Sequence, residues 1–291
     1  MRRSLLFLPG NNPNMLINAN CLGADAVIFD LEDAVSPNEK DAARILVRNT
    51  LKYMDFETCE TIVRINSVDT DFWKKDIDVI LPCKPFFILL PKVNTAKDIV
   101  EVSEYMKKAE ENAGFREGTV GLIALIETAL GVENSYKIAT ATKRVKGLLL
   151  GAEDLTSDLE CKRTKEGREI EYSRTRLVVA ARAAGIDVYD TPFTDVNDDE
   201  GAKVDTCLAK SLGFTGKACI SPRHVEIIND IFTPTKEEID YAFEVLDAIK
   251  LAKEQGKGAI SLRGKMIDAP IVARAEKVIL FANELGISRE E

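Results

Sequence analysis

The sequence predicts a (β/α)₈ barrel that carries a C-terminal helical appendage. Eight short apolar, β-prone runs recur along the chain, helical patterns separate most of them, and no Pro/Gly linker appears before residue 230. Strands that alternate with helices indicate parallel βα units, and eight units are the number that closes a barrel. A doubly wound open sheet is the alternative that this alternation also allows.

The predicted strands are short apolar runs bounded by turn residues, as expected for strands that are buried on both faces. They cover residues 5–8, 26–29, 62–65, 86–90, 122–126, 148–150, 188–189 and 218–220. The third and seventh runs carry the weakest strand pattern. Helical periodicity predicts helices near residues 95–111, 172–184 and 199–212.

The pattern changes after the eighth run, so we predict a barrel over residues 1–230 and an appendage over 231–291. Residues 235–254 are amphipathic, with Thr235 as the predicted cap, and Gly256 and Gly258 are predicted to end that helix. A turn or hairpin follows over 259–268, and Pro270 opens a last helix. An appendage of this size is too small to fold alone, so it must pack on the barrel or on another subunit.

Composition excludes several classes of function. The net charge is −9, which disfavours nucleic acid and anionic membranes as partners. No run approaches the roughly 18 apolar residues of a membrane span, and we expect a cytoplasmic protein. The six cysteines form no CxxC pair, and His224 is the single histidine. A zinc site with several histidines is therefore excluded within one chain, and any metal is expected to be held by oxygen, which favours Mg²⁺ or Mn²⁺.

Two acids occupy equivalent places after the fifth and sixth strands. Glu127 ends the run GLIALI, and Asp154 follows the run GLLL through Gly151, Ala152 and Glu153. The carboxyl ends of neighbouring parallel strands meet at one end of a barrel, and two like charges there are costly unless a proton or cation intervenes. Each acid could instead cap the following helix. Taken together, they predict a metal site.

Other polar residues follow the second, third and fourth strands. Arg64 either neutralises the acids after the second strand, Asp30 and Glu32, or uses its planar fork to hold a substrate carboxylate. Glu32 and Asp33 either cap the next segment or orient Arg64 and metal-bound water. Two further residues carry weak signals, because a lysine at a strand end is often a surface charge and a lone histidine is usually structural: Lys92 and His224.

Motifs along nearly the whole chain resemble those of one protein family. The motifs are RRSLLFLPG (2–10), FDLEDAV (29–35), VRIN (63–66), LPKV (90–93), IET (126–128), GAEDL (151–155), GFTGK (213–217) and GKMID (264–268). In this order they resemble the citrate lyase β-subunit and malyl-CoA lyase family. Each motif is weak alone, and the ordered set is specific. The chain departs from many relatives at Ser221-Pro222, where those have His-Pro.

The resemblance implies a Mg²⁺-dependent (β/α)₈ lyase that cleaves a 3-hydroxyacyl thioester. It implies that Glu127 and Asp154 bind Mg²⁺, that Arg64 grips the keto acid, and that Asp268 reaches the active site of a neighbouring subunit. For citrate lyase the substrate is a citryl thioester on an acyl carrier subunit or CoA, and the products are oxaloacetate and an acetyl thioester. The implied partners are the citrate lyase α and γ subunits and further copies of the chain in a trimer or larger homo-oligomer.

The residues fit such a cleavage independently of the resemblance. Breaking the carbon–carbon bond needs a base for the hydroxyl and a Lewis acid for the forming ketone. Backbone N–H groups of Gly151, Ala152 and Glu153 are expected to help hold the substrate carboxylate, and Asp268 is the candidate proton carrier. The rival interpretations are a lyase for malyl-CoA or citramalyl-CoA, a catalytically idle subunit, and phosphoryl transfer.

Overall fold

The computed structural model describes residues 2–254 and 260–287. These residues form two compact units, one from Arg2 to Asp230 and one that begins at Ile231. The predicted helix stop at Gly256 and Gly258 lies outside the described residues.

The first unit is a closed barrel of eight parallel strands in sequence order, and the last strand pairs back with the first, Leu5 opposite Ala218. The closure excludes the open sheet. The strands are β1 Ser4–Pro9, β2 Ala26–Asp30, β3 Glu60–Arg64, β4 Phe87–Leu90, β5 Gly121–Ile126, β6 Val145–Leu150, β7 Asp187–Asp190 and β8 Gly216–Cys219.

Helices surround the barrel and connect its strands. They are α1 Pro13–Leu16, α2 Lys40–Tyr53, α3 Trp73–Ile80, α4 Ala96–Asn112, α5 Ala129–Ala139, α6 Ala152–Asp158, α7 Glu171–Ala184, α8 Asp199–Leu212 and α9 Arg223–Phe232. Short 3₁₀ turns at Ala19–Cys21, Pro37–Glu39, Leu81–Cys83 and Arg168–Ile170 complete the connections. The three helices that the periodicity predicts are present as α4, α7 and α8.

The weak third and seventh strands both form, and three predicted boundaries were wrong. Ile65 lies one residue beyond the end of β3, Phe86 lies one residue before the start of β4, and Ile220 lies one residue beyond the end of β8. Phe86 and Ile220 are exposed. Charged residues at both ends of β7, Asp187 and Asp190, shorten its apolar run and explain the weak signal.

Alternation along the strands separates two faces of the barrel wall. Side chains at every second position fill the barrel interior, and they belong to Leu5, Ala26, Ile28, Ile62, Phe87, Leu89, Ile123, Leu125, Leu149, Tyr189 and Ala218. The intervening positions face the helices, because neighbouring residues of a strand point to opposite sides. This register determines which residues project into the barrel beyond the last interior layer.

The second unit contains two helices and a hairpin. Its elements are α10 Lys236–Glu254, β9 Ile260–Leu262, β10 Lys265–Ile267 and α11 Ala269–Glu284. Thr235 caps α10 by accepting a 3.2 Å hydrogen bond from the Glu238 N–H. The two strands are antiparallel on either side of the predicted turn, and Ala242, Val245, Ile267 and Ala275 are buried together. None of the helices in the described part of the chain has the length and apolar character that a bilayer crossing requires.

Candidate active site

A cavity of ≈ 500 Å³ opens at the carboxyl ends of the barrel strands. A larger one, ≈ 800 Å³, lies at the opposite end, but its walls hold few carboxylates. Chemistry in this fold occurs at the carboxyl end, so the smaller cavity is the candidate site. Its lining includes Phe7, Pro9, Asp30, Asp33, Arg64, Leu125, Glu127, Leu149, Gly151, Ala152, Glu153, Asp154, Thr191 and Ile220.

Strand register explains why polar side chains meet there. Asp30 stands two residues after the interior residue Ile28, Arg64 two after Ile62, and Glu127 two after Leu125. Each therefore continues the inward-facing series of its strand, one layer above the apolar core. The barrel interior ends in a charged layer that faces the cavity.

Glu127 is one of two deeply buried acids that line the cavity, the other being Asp30. Its side chain is almost fully enclosed, with the residue 3% exposed. Oε1 accepts a 2.7 Å hydrogen bond from the Lys92 N–H, whereas Oε2 accepts none from the described residues. Gly151 leaves room for this carboxylate, because a Cβ at that position would lie 2.7 Å from Oε2. The carboxylate is thus fixed in place with one oxygen uncommitted.

Nearby cations and hydrogen bonds do not offset the burial of the Glu127 carboxyl. Burial, followed by repulsion from Asp154, raises the pKa of Glu127 to about 8, despite Arg64 and the Lys92 N–H. A buried carboxylate with a raised pKa either holds a proton or neutralises its charge with a cation. Glu127 therefore has the properties of one ligand of a cation site.

Asp154 supplies the second carboxylate of the candidate cation site. It is the third residue of α6, is half-buried, and makes no hydrogen bond or ion pair with other described residues. The described residues contain no group of three or more His, Cys, Asp or Glu that could hold a metal ion. Two carboxylates with the remaining positions left to water and substrate are the habitual arrangement for Mg²⁺, so the residues present fit this ion.

Arg64 is committed to an acid of the same layer. Its Nε and Nη2 donate hydrogen bonds of 2.6 Å each to the two oxygens of Asp30. Asp30 already fills this edge of the guanidinium, and the predicted grip of Arg64 on a substrate carboxylate stays a prediction. Nη1 lies 3.1 Å from Glu32 Oε2 and 3.5 Å from Asp33 Oδ2, so three acids surround the guanidinium.

Glu32 joins the two cations of the site. It is buried, with Oε2 beside Arg64 and Oε1 2.7 Å from Lys92 Nζ. Burial raises the pKa of Glu32 and outweighs these two cations. Asp33 is more exposed, lies 3.7 Å from Lys92 Nζ and donates its N–H to Glu32. Glu32 thus occupies the predicted position beside Arg64.

Lys92 contacts the acids of the site more closely than its weak sequence signal suggested. Its backbone is left-handed, with φ 53°, which non-glycine residues rarely adopt. This conformation accompanies the bond from its N–H to Glu127, while its ammonium pairs with Glu32. One residue therefore contacts both acids, and the only signal for it was its place in LPKV directly after β4.

Two of the three predicted backbone donors already have partners within the barrel unit. The Gly151 N–H donates to Ile126 O at 2.9 Å and the Ala152 N–H donates to Thr191 Oγ1 at 3.1 Å. Neither is free for a substrate carboxylate. The Glu153 N–H, in the first turn of α6, has no partner among the described residues and stays a candidate.

Asp268 belongs to the second unit, where it caps α11. Its Oδ1 accepts a 3.2 Å hydrogen bond from the Ile271 N–H, and the residue is exposed. The cap is the alternative role that aspartate commonly has before a helix. Its action in a neighbouring subunit stays a prediction.

His224 is enclosed within the barrel unit and is not part of the cavity lining. The residue is 1% exposed, and burial lowers the pKa of its imidazole. Its ring lies 6.2 Å from that of Phe193, between ring centres. This placement fits the structural role that its lone occurrence suggested.

Comparison with known proteins places this geometry in a family. Residues 3–222, nearly the whole barrel unit, match the HpcH/HpaI aldolase/citrate lyase profile. The chain belongs to that family. Citrate lyase subunit beta of Leuconostoc mesenteroides subsp. cremoris is 46% identical over 283 residues, which cover 97% of this chain and 94% of that protein.

Solved structures of family members share the fold. The CitE protein of Mycobacterium tuberculosis in complex with magnesium, acetoacetate and coenzyme A is 30% identical, with a TM-score of 0.79 over 97% of this chain and 98% of that one. The citrate lyase beta subunit of M. tuberculosis complexed with oxaloacetate and magnesium is 30% identical, with a TM-score of 0.68 over 80% of this chain and 97% of that one.

Proposed function

We propose that this family member is a magnesium-dependent lyase that cleaves a citryl thioester into oxaloacetate and an acetyl thioester, as the β subunit of citrate lyase. The observation that carries the proposal is the pair Glu127 and Asp154, two carboxylates that line one cavity and have uncommitted oxygens. The relatives described above, one of them bound to oxaloacetate and magnesium, support the substrate class and the ion.

The reaction breaks the bond between the hydroxyl-bearing carbon and the CH₂ next to the thioester carbonyl. The hydroxyl loses its proton and becomes the ketone of oxaloacetate. The bonding electron pair moves into the thioester as an enolate, which takes up one proton to give the acetyl thioester. Held by Glu127 and Asp154, Mg²⁺ supplies a Lewis acid for the developing charge.

The residues around the pair orient the substrate. Arg64 lines the cavity while Asp30 fixes one edge of its guanidinium, so the positive charge is held in one place. Lys92 adds a second cation, which Glu32 anchors. The Glu153 N–H at the start of α6 is a further donor for a carboxylate. Phe7, Leu125 and Leu149 form an apolar wall that excludes water from the reacting carbons.

Proton transfer is assigned to Asp268 of another copy of the chain. This part of the proposal requires a homo-oligomer, a trimer or larger, in which the second unit of one copy covers the barrel of the next. The α and γ subunits of citrate lyase, the latter as acyl carrier, are the proposed further partners. They would deliver the citryl thioester to the open end of the cavity.

The rival functions fit the cavity less well. In a catalytically idle subunit, the repulsion between Glu127 and Asp154 would be a cost without a function. Phosphoryl transfer needs an excess of cations, and the cations that line or border this cavity, Arg64 and Lys92, are both paired with acids. Malyl-CoA and citramalyl-CoA demand the same chemistry, so only an assay separates them from citryl thioesters.

The test is a cleavage assay on the purified chain with citryl-, malyl- and citramalyl-CoA, in Mg²⁺ and in EDTA. We expect citryl-CoA to be cleaved fastest, and only with Mg²⁺. Glu127→Gln and Asp154→Asn should each lower kcat by at least about a hundredfold. Asp199→Asn, an exposed acid in the first turn of α8, is the control and should retain activity. Activity in EDTA, or in the two site variants, contradicts the proposal.

A further inference from the structure

We propose that Thr191 and Lys217 are positioning residues that set the place of Asp154, an inference that rests on the proposed function. Neither residue is needed as a metal ligand. They act through a chain of hydrogen bonds that begins in a buried charge cluster behind the barrel wall and ends at the first turn of α6.

The charge cluster lies between the barrel and its outer helices. Asp190 and Lys217 are paired positions of β7 and β8, and Arg174 of α7 and Asp205 of α8 complete the group. Lys217 Nζ lies 2.7 Å from Asp190 Oδ2 and 2.6 Å from Asp205 Oδ2, and Arg174 Nη2 lies 2.9 Å and 2.6 Å from the same two acids. Two cations thus balance two anions.

The cluster is rigid because each member is buried and paired. All four residues are at most 4% exposed. Burial opposes the ionisation of Asp190, but Lys217 and Arg174 outweigh it and keep the pKa of that carboxyl below its usual range. Removing one charge from such a group leaves another without a partner, which is strongly unfavourable. The cluster therefore holds β7 and β8 in a fixed relation.

Lys217 connects this cluster to the cavity. Besides its two acids, its ammonium donates a 2.6 Å hydrogen bond to the carbonyl oxygen of Thr191, the residue directly after β7. Thr191 has the same parity as the interior residue Tyr189, and its side chain lines the cavity. The backbone of Thr191 is thus fixed from behind the wall, while its hydroxyl lies on the cavity side.

The hydroxyl of Thr191 caps the N-terminus of α6, which the residues next to that helix leave without a side-chain cap. The N-cap residue of α6 is Gly151, which has no side chain with which to cap the helix. A larger residue is excluded there, since its Cβ would lie 2.7 Å from Glu127 Oε2. Thr191 Oγ1 instead accepts the Ala152 N–H at 3.1 Å. The residue that follows β7 thus caps the helix that starts after β6.

Asp154 depends on this cap because nothing else among the described residues holds its side chain. It lies two residues after Ala152 in the same helical turn, so the direction of that turn sets the distance from its carboxylate to Glu127. Partners that orient metal ligands commonly affect metal affinity by about 10- to 100-fold when they are removed. We expect loss of the Thr191 hydroxyl to have an effect of this size.

The experiment measures Mn²⁺ binding by electron paramagnetic resonance on the full chain, without substrate. Thr191→Val keeps the shape and removes the hydroxyl, and it should raise the Kd for Mn²⁺ about 10- to 100-fold. Thr191→Ser restores the hydroxyl and should return the Kd to within about threefold of the original chain. Thr206→Val is the matched control: its hydroxyl is equally buried but bonds only to Ala202 O in its own helix, so its Kd should not change.

The outcomes separate this inference from the proposed function. If the original chain binds no Mn²⁺, the metal site itself is wrong. If it binds Mn²⁺ and Thr191→Val binds equally well, the positioning role is overturned. A weakened Thr191→Val that Thr191→Ser does not rescue also overturns it, because the hydroxyl is then not responsible. Should Thr191→Val fail to fold by circular dichroism, Thr191→Ala is measured in its place and is judged by the same criteria.

Discussion

The backbone N–H of Lys92 donates a 2.7 Å hydrogen bond to Oε1 of Glu127, and it does so from a left-handed residue. A lysine in this conformation costs on the order of 1 kcal/mol relative to glycine. Glycine would give the backbone this shape without the cost, but it would lose the ammonium that pairs with Glu32. The strained residue thus contacts Glu127 through its backbone and Glu32 through its side chain.

This relationship predicts an unusual order of stabilities at position 92. Lys92→Gly should be more stable than Lys92→Ala by about 1 kcal/mol, since alanine retains the unfavourable left-handed Cβ. Denaturant unfolding of both variants measures the difference. At Lys108, an exposed residue within α4, the order should reverse, with alanine more stable than glycine by up to about 1 kcal/mol. The same order at both positions would show that the conformation of Lys92 carries no strain.

The raised pKa of Glu127 predicts that cation binding depends on pH. Below a pKa of about 8 the metal-free protein holds a proton on Glu127, and Mg²⁺ must displace it. The affinity for Mg²⁺ should therefore increase with pH, by up to about tenfold per unit, and level off above that pKa. Calorimetric titrations between pH 6 and pH 9 measure it, and an affinity that does not vary with pH contradicts the shift.

In the metal-free protein, the contribution of Glu127 to folding stability should decrease as pH rises, whereas the affinity for Mg²⁺ should increase. The folded state binds more protons than the unfolded state between the ordinary glutamate pKa and the raised one, so stability conferred by protonated Glu127 is lost as pH rises through that interval. Glu127→Gln should remove this contribution, and the difference between the two pH profiles isolates it from other acids.

Arg64→Lys should impair substrate use without weakening the metal site. Lysine keeps the charge but lacks the fork that Asp30 holds, so the direction of the charge is lost. We expect kcat/KM to fall by about tenfold or more, equivalent to roughly 1.4 kcal/mol, with the Mg²⁺ affinity unchanged. Arg3→Lys is the matched control, because Arg3 makes a similar two-pronged contact with Asp25 at the other end of the barrel. Equal losses in both variants would assign Arg64 a structural role.

Asp268 is tested by mixing inactive chains. Asp268→Asn should retain the cap on α11, because asparagine caps as well as aspartate, and should lose the proton carrier. When these chains are mixed with Glu127→Gln chains and refolded together, on the order of a quarter of the sites in a closed oligomer receive both intact residues. Activity should return in that proportion. Mixed oligomers without activity would leave Asp268 as a cap alone.

The order of the strands and the residues that follow them could be predicted from the sequence because they depend on local patterns. Eight apolar runs fix the order of strands, and that order places Glu127 and Asp154 at the same end of the barrel. Polar residues at both ends weakened the strand pattern of β7, and the apolar run of β3 continues to Ile65, one residue past the end of that strand. Boundaries are set by pairing partners, which a single run of residues does not contain.

Contacts between distant segments could not be predicted in this way. The sequence left open whether Arg64 faces Asp30 or a substrate, and only the packed barrel shows that Asp30 occupies the fork. Likewise, the Ala152 N–H was expected to be free, yet a threonine nearly forty residues away accepts it. A left-handed backbone at a lysine leaves no trace in composition or periodicity.

The inward parity of Asp30, Arg64 and Glu127 has a consequence for how this family can diverge. Deleting or inserting one residue within β2, β3 or β5 would turn the affected side chain out of the barrel and bring its neighbour in. Segments after the active residues, such as 159–168, carry no such restriction. Length differences among homologues should therefore fall after the carboxyl ends of the strands, where substrate preference can be remodelled while the reaction itself is inherited unchanged.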